Sequence, residues 1–339
     1  MTTTLGVIGF GRMGYRTALA GRMAGMEIVS ILDSSLSPWG GEQDGALADL
    51  LVQSLDEFLG TRPDLVSIST TADSHAALFQ AAAKSGIKNI LVEKPVACSI
   101  NDVLDMEVLA QQLGVHAVVN HHNRSWGELQ KIRNLSGSER YGDLKSLIVT
   151  QGAGGFGNLG THYFDMANWF FNSAPLKVSA FGTTPEAVNP RGQQFKDIGG
   201  CAIVQYSRNR RFILEIGDDV GVIGGYEFRF EYGRVVMPFV SEPPQAYRRK
   251  QDALDLPKHF YGAPLEFQNW EEFAPPDVVK HTKNALLDAK NGTFEHCVSL
   301  ADARIALEVM VAARLAIENQ AVILLPLRGD NVKRRYSLA

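Results

Sequence analysis

Leu5-Gly6-Val7-Ile8-Gly9-Phe10-Gly11-Arg12-Met13-Gly14 passes from an apolar run, through a glycine turn, into a helix-forming stretch. Its reading predicts a strand over residues 5–9 and a helix over residues 12–24. Gly9 permits the tight turn, Gly11 lets the backbone approach a pyrophosphate, and Gly14 lets the helix pack close to the strand. The amide-rich amino end of that helix, entered through Phe10, Arg12 and Met13, attracts an anion. A second strand, residues 27–33, ends at Asp33, about 20 residues on, where a carboxylate can bond both ribose hydroxyls of a dinucleotide. The same carboxylate repels a 2′-phosphate. NAD is therefore favoured, while Ser34 and Ser35, with Arg12 or Arg16 nearby, leave NADP open.

Outward from this stretch, strand and helix signals alternate. Strands are expected over residues 65–70, 89–93 and 115–120, and helices over residues 74–85 and 101–113. Gly86 and Gly114 close these helices, and Ser74 is placed to accept from the free amides of the first. Such alternation means βαβ units and a parallel sheet, so residues 1–122 read as an α/β Rossmann dinucleotide-binding domain. The pattern changes after about residue 123. Helical stretches at 126–135 and 159–171 are followed by short strands at 177–182, 199–207, 210–217, 226–232 and 234–238, with a further strand at 143–151. Tight turns, such as Arg208-Asn209, predict a large, mainly antiparallel open sheet wound as a meander. Helices over 276–290 and 299–319 and a strand over 322–325 complete an α+β domain, residues 123–328. Residues 329–339, with Lys333-Arg334-Arg335, are expected to form a mobile basic tail.

The 339 residues suit two domains and need no disulfide or metal to build a core. A formal charge of -4 gives no basic field for nucleic acid, and no apolar run is long enough to span a bilayer. Cys98, Cys201 and Cys297 lie far apart without metal-ligand spacing, so no metal is expected. The residues before the first strand hold no apolar signal core, and a reducing cytoplasm is the expected compartment. One face of the apolar antiparallel sheet invites a second subunit, so a homodimer or homotetramer is expected.

The chemistry centres on Asn89-Ile-Leu-Val-Glu93-Lys94-Pro95, which puts a lysine at the carboxyl end of an apolar strand. Ligands of open parallel sheets bind at that rim. A lysine there can take or give the substrate's proton while hydride moves at the nicotinamide. Thr70, Thr71 and His75 follow another strand at the same rim and are expected to line the nicotinamide-ribose pocket.

The glycine turn, Asp33, Thr71-Ala-Asp-Ser-His75, Glu93-Lys94-Pro95, Gly160-Thr-His162-Tyr-Phe-Asp165, the closing Ser299-Leu-Ala-Asp helix and Ala321-Val-Ile-Leu-Leu-Pro occur in this order. In that order the chain, over roughly residues 4–327, resembles the glucose-fructose oxidoreductase / inositol dehydrogenase / MocA family. The resemblance implies NAD(P)-dependent hydride transfer at a hydroxyl or keto carbon of a sugar, nucleotide sugar, sugar acid or cyclitol. It implies Lys94 as acid/base, Glu93 as its orienting neighbour, a cis peptide before Pro95, and His162 as the second proton-handling residue. His162 and Asp165 share a helix face, so Asp165 can orient the ring or bind substrate.

Where family dehydrogenases carry Asp-x-Gly-x-His, this chain reads Asn158-Leu-Gly160-Thr-His162. Asn158 can hold a hydroxyl but cannot accept a proton. Asn120 and Arg124, in Asn120-His121-His122-Asn123-Arg124, are expected at the nicotinamide and near the substrate. Adjacent His121 and His122 point to opposite strand faces and cannot easily share an ion. Arg248-Arg249-Lys250 reads as a solvated loop or as a clamp on a carboxylate or diphosphate. Two other functions stay open. One is a glycosidase that oxidises its substrate transiently with bound NAD; the other is a non-catalytic dinucleotide-binding regulator.

Overall fold

The structure is a computed structural model that describes residues 2–183, 192–222, 224–270 and 272–338. Contacts divide the chain into two units: Met1–Ser125 with Asp277–Leu307 and Gly329–Ala339, and Trp126–Pro276 with Glu308–Arg328.

In chain order the first unit begins with β1 (Thr4–Ile8), α1 (Arg12–Met23), β2 (Glu27–Leu32), β3 (Leu51–Val52), β4 (Leu65–Ile68), α2 (Ala72–Lys84), β5 (Asn89–Val92), α3 (Ile100–Leu113) and β6 (His116–Val119). The strands β4 and β5 are buried almost throughout, as expected when helices cover both faces of a parallel sheet. α2 starts two residues before the predicted position. Thr71, in extended conformation, precedes it, and Ser74 sits in the first turn and donates its hydroxyl to the Thr71 carbonyl at 2.9 Å.

The second unit carries β7 (Leu144–Gly152), α4 (Gly160–Phe171), β8 (Pro175–Gly182), β9 (Gly200–Tyr206), β10 (Arg211–Gly217), β11 (Tyr226–Phe230), β12 (Gly233–Met237), β13 (Gln245–Arg249) and β14 (Leu265–Asn269). The chain then returns to the first unit with α5 (Val278–Asn291) and β15 (Val298–Ser299). It continues through α6 (Leu300–Asn319), β16 (Ile323–Leu324) and α7 (Asp330–Lys333).

The first sheet has the order β15-β6-β5-β4-β1-β2-β3, parallel except for β15. Order reverses beside β1, so the carboxyl ends of β1 and β4 flank the switch point where ligands enter such sheets. The second sheet, β14-β13-β12-β11-β7-β10-β9-β8-β16, is antiparallel except for β7 beside β10. It is therefore not the simple meander expected: β7 sits in the middle, with β10 on one side and β11 on the other. The predicted Arg208-Asn209 turn is present, with φ of 58° and 55°.

Three expectations differ from the structure. Residues 277–307 pack with the dinucleotide-type sheet, because Ala285, Leu286 and Ala289 of α5 share one core with Leu5, Ala18 and Ile28. The stretch from Gly329 also packs there, with Tyr336 and Leu338 buried. The loop expected around Arg248-Arg249 is strand β13. Arg249 is buried and donates to the carbonyls of Leu256, Pro257 and Lys258, while Arg248 pairs with Glu266 at 2.6 Å. These guanidinium donors are engaged within their own unit, so the clamp reading is withdrawn.

Candidate functional site

In the first unit the glycine turn is built by backbone geometry. Gly9 has φ of +87° and donates its N–H to the Leu32 carbonyl at 2.7 Å. A Cβ on Gly14 would lie 1.8 Å from the Gly9 carbonyl oxygen, so only glycine lets α1 start this close to β1. Gly11, by contrast, faces open space and precedes α1 with no side-chain cap. The amides at the helix's amino end carry no side-chain cap, and such an end attracts an anion. Phe10 contributes through its backbone. Its ring is in the core, and its N–H donates to Asp33 Oδ2 at 2.5 Å. Asp33 Oδ1 accepts from the Ser35 N–H at 2.8 Å. A carboxylate has about four acceptor positions, so two ribose hydroxyls can still be bound. Arg12 and Arg16 are exposed and Met13 is half-buried.

At the end of β4, Thr70 Oγ1 and Ser74 Oγ lie 2.6 Å apart, and Thr71 donates to Asp73 at 2.6 Å. His75 is 0% exposed, with Nε2 at 3.2 Å from the Thr70 carbonyl oxygen. Burial lowers its pKa, so the ring is held neutral. The ring is thus buried against the backbone at the end of β4 and is not the surface histidine that a helix start could carry.

At the end of β5, Lys94 is half-buried and the Lys94–Pro95 peptide is cis. Glu93 is buried. Its Oε1 accepts from Asn120 Nδ2 at 2.6 Å, and its Oε2 accepts from the Lys94 backbone N–H at 3.3 Å. The same Asn120 Nδ2 reaches Thr282 Oγ1 of α5 at 3.2 Å. Asn120 is 1% exposed, and among the described residues its Oδ1 has no hydrogen-bond partner. An unsatisfied buried acceptor is costly, so a donor from a bound group is the natural complement. With the open turn at Gly11, this acceptor fits a nicotinamide dinucleotide on the rim.

Burial pushes the His121 and His122 pKa values down to about 3, helped for His121 by Arg124 and for His122 by His281. His122 stacks on His281 at 6.1 Å, and His281 Nδ1 lies 3.2 Å from Ser125 Oγ. Arg124, expected near substrate, reaches Asp302 at 3.5 Å.

In the second unit α4 carries His162 and Asp165, both buried and one turn apart. Its entry is held by a carboxylate that sequence reading missed. Asp197 Oδ1 accepts from the Gly157 N–H and Oδ2 from the Asn158 N–H, each at 2.7 Å. Thr161 Oγ1 donates to the Gly157 carbonyl at 2.9 Å, and Asp218 accepts from the Gly154 N–H at 2.7 Å. Asn158 itself is half-buried at the start of this turn. Tyr163 donates to Gln151 at 3.0 Å, and burial pushes its pKa up to about 12, which keeps the phenol protonated. No short-range signal marks Asp197, because it bonds residues 39 and 40 positions away. Thr282 and His281 were missed for the same reason.

Residues 3–121 match the model of an oxidoreductase family with an NAD-binding Rossmann fold. A 1,5-anhydro-D-fructose reductase of Ensifer adhaerens is 31% identical over 122 residues, which are 36% of this chain and 36% of that protein. The match thus spans about a third of that relative's length. An inositol 2-dehydrogenase of Rhizobium meliloti is 24% identical over 196 residues, 53% of this chain and 58% of that one. An oxidoreductase from Agrobacterium radiobacter, solved with NAD+, L-tartaric acid and magnesium, superposes with a TM-score of 0.76. That comparison covers 96% of this chain and 98% of that one at 15% identity, a likeness of fold.

Proposed function

We propose that the protein is a dehydrogenase of the Gfo/Idh/MocA type acting on a sugar or cyclitol hydroxyl, a reading supported by the match of residues 3–121 to that family's NAD-binding Rossmann model. One observation carries the reading. Lys94 leaves the carboxyl end of β5 in the unit that bears the glycine turn, next to a Glu93 whose carboxylate Asn120 holds at 2.6 Å. NAD supplies the hydride acceptor when bound. Gly9, Gly11 and Gly14 shape the pyrophosphate turn, Asp33 takes the ribose hydroxyls, and Asn120 Oδ1 offers an acceptor to the nicotinamide carboxamide. Lys94 takes the hydroxyl proton. His162, on the second unit, is the other proton-handling residue, and Asn158 and Asp165 are candidate substrate contacts on the same helix and its entry turn.

NAD is favoured over NADP, because the Asp33 carboxylate repels a 2′-phosphate. The names of the reductase and the inositol dehydrogenase relatives support a polyhydroxylated neutral substrate. Nicotinamide absorbance with NAD and a panel of cyclitols and sugars tests the reading. Lys94→Ala and His162→Ala should each lower kcat by about a hundredfold or more, the usual scale for a lost general acid/base. Wild-type turnover in both variants would sink it. The outer face of the second sheet exposes Phe181 (77%) and Ile203 (43%), which supports a homodimer or homotetramer. Sedimentation equilibrium should give a multiple of the 37.1 kDa chain mass.

A further inference from the structure

The C-terminal residues run along the first unit and end against the loop that carries Lys94. α7 packs on α3, and Arg335 pairs with Asp102 at 2.5 Å. Tyr336 donates its backbone N–H to the Cys98 carbonyl at 3.0 Å. Leu338 is 1% exposed. Cys98 closes the segment Lys94-Pro95-Val96-Ala97-Cys98, which joins β5 to Ser99, the cap of α3. The carboxyl end of the lysine loop is thus held by the tail.

Chain ends usually fray unless they are tied down, and loop backbone needs partners to hold one geometry. The Arg335–Asp102 pair is exposed and contributes little by itself. The burial of Leu338 and the backbone bond from Tyr336 to Cys98 are what fix the contact. We propose that residues 335–338 are a positioning element for Lys94, holding the loop after β5 in the geometry its proton transfer needs. The inference rests on the acid/base reading of Lys94 and assigns a role to a segment remote from it in sequence.

The test removes residues 335–339 from the full chain. Proton transfer tolerates little misplacement, and a shift of about 1 Å can cost about a hundredfold in rate. The truncated chain should bind NAD within about twofold of the intact chain, yet lose about tenfold to a hundredfold in kcat at unchanged KM for NAD. Amide exchange over residues 94–99 should rise about tenfold or more. The pH dependence of Lys94 reductive methylation, read by mass spectrometry, should shift as well. A synthetic peptide of residues 329–339 added in trans should reverse all three changes.

If truncation prevents folding, Tyr336→Pro, which removes the N–H bonded to Cys98 together with the buried ring, is read in the same way, with Tyr336→Ala as the control that keeps the N–H. Unchanged kcat, exchange and methylation in a folded variant overturn the proposal. If the intact chain oxidises no carbohydrate, the dehydrogenase reading falls, while exchange and methylation still decide the role of the tail.

Discussion

Asp33 accepts from the Phe10 N–H at 2.5 Å, and in the proposed function its carboxylate also takes the ribose hydroxyls. Asp33→Ser should therefore weaken NAD binding by the worth of a charge-assisted hydrogen bond, about 1.5–3 kcal/mol, or roughly tenfold to a hundredfold in Kd. NADP should lose less, since the repulsion of its 2′-phosphate goes with the carboxylate. Calorimetric titration of both cofactors checks this, and an unchanged NAD/NADP ratio would refute the assignment. Asp33 and the glycines were legible in the sequence because their roles follow from backbone conformation and fixed local spacing. The φ of +87° at Gly9 and the 1.8 Å clearance at Gly14 are what the pattern encodes. His75 was legible as part of the rim but not as a buried residue, because burial depends on the packing around α2 and not on local spacing.

At the scale of elements, α4 depends on a carboxylate supplied from far along the chain. Asp197→Ala would leave the Gly157 and Asn158 amides without their acceptor, and its half-exposed site lets water recover part of the loss. A cost of about 1–2 kcal/mol is expected from a lost cap of this kind. Urea unfolding should show it as a lower midpoint at unchanged slope, with Asp197→Asn in between; a wild-type midpoint for Asp197→Ala would remove Asp197 from this role. The alternating strands and helices of residues 4–119 were legible because burial on both faces writes continuous apolar runs, as in Leu65-Val-Ser-Ile68. β13 was not, because Gln245-Ala-Tyr-Arg-Arg249 lacks apolar alternation and buries an arginine against three carbonyls. α5 was legible as a helix but not as a member of the first unit. An apolar stripe says that a face is covered, and only the packing of Leu286 against the Leu5 core says by what.

For the molecule as a whole, buried and partly buried histidines set the response to acid. His75, His121, His122 and His281 all have pKa values lowered by burial, and all belong to the first unit. In the unfolded chain they titrate near the ordinary value of 6.5. Their folded values lie below it, so the unfolded state binds more protons and stability falls as pH drops below about 6.5. Each histidine that stays neutral in the fold costs up to about 1.4 kcal/mol per pH unit in that range. The buried Asp288 carboxylate also has a lowered pKa despite the opposing effect of burial. Thr293, His296 and Cys297 all donate to it, and its contribution is lost only below the ordinary carboxylate value of 3.8. Two windows follow, the upper one from the imidazoles and the lower one from carboxylates. Thermal unfolding should therefore show the midpoint falling already between about pH 7 and about pH 5, before any carboxylate titrates. Amide exchange in that interval should rise first in the strands of the NAD-binding sheet. A midpoint that stays flat until about pH 4.5 would mean that the imidazoles are already solvated in the folded chain.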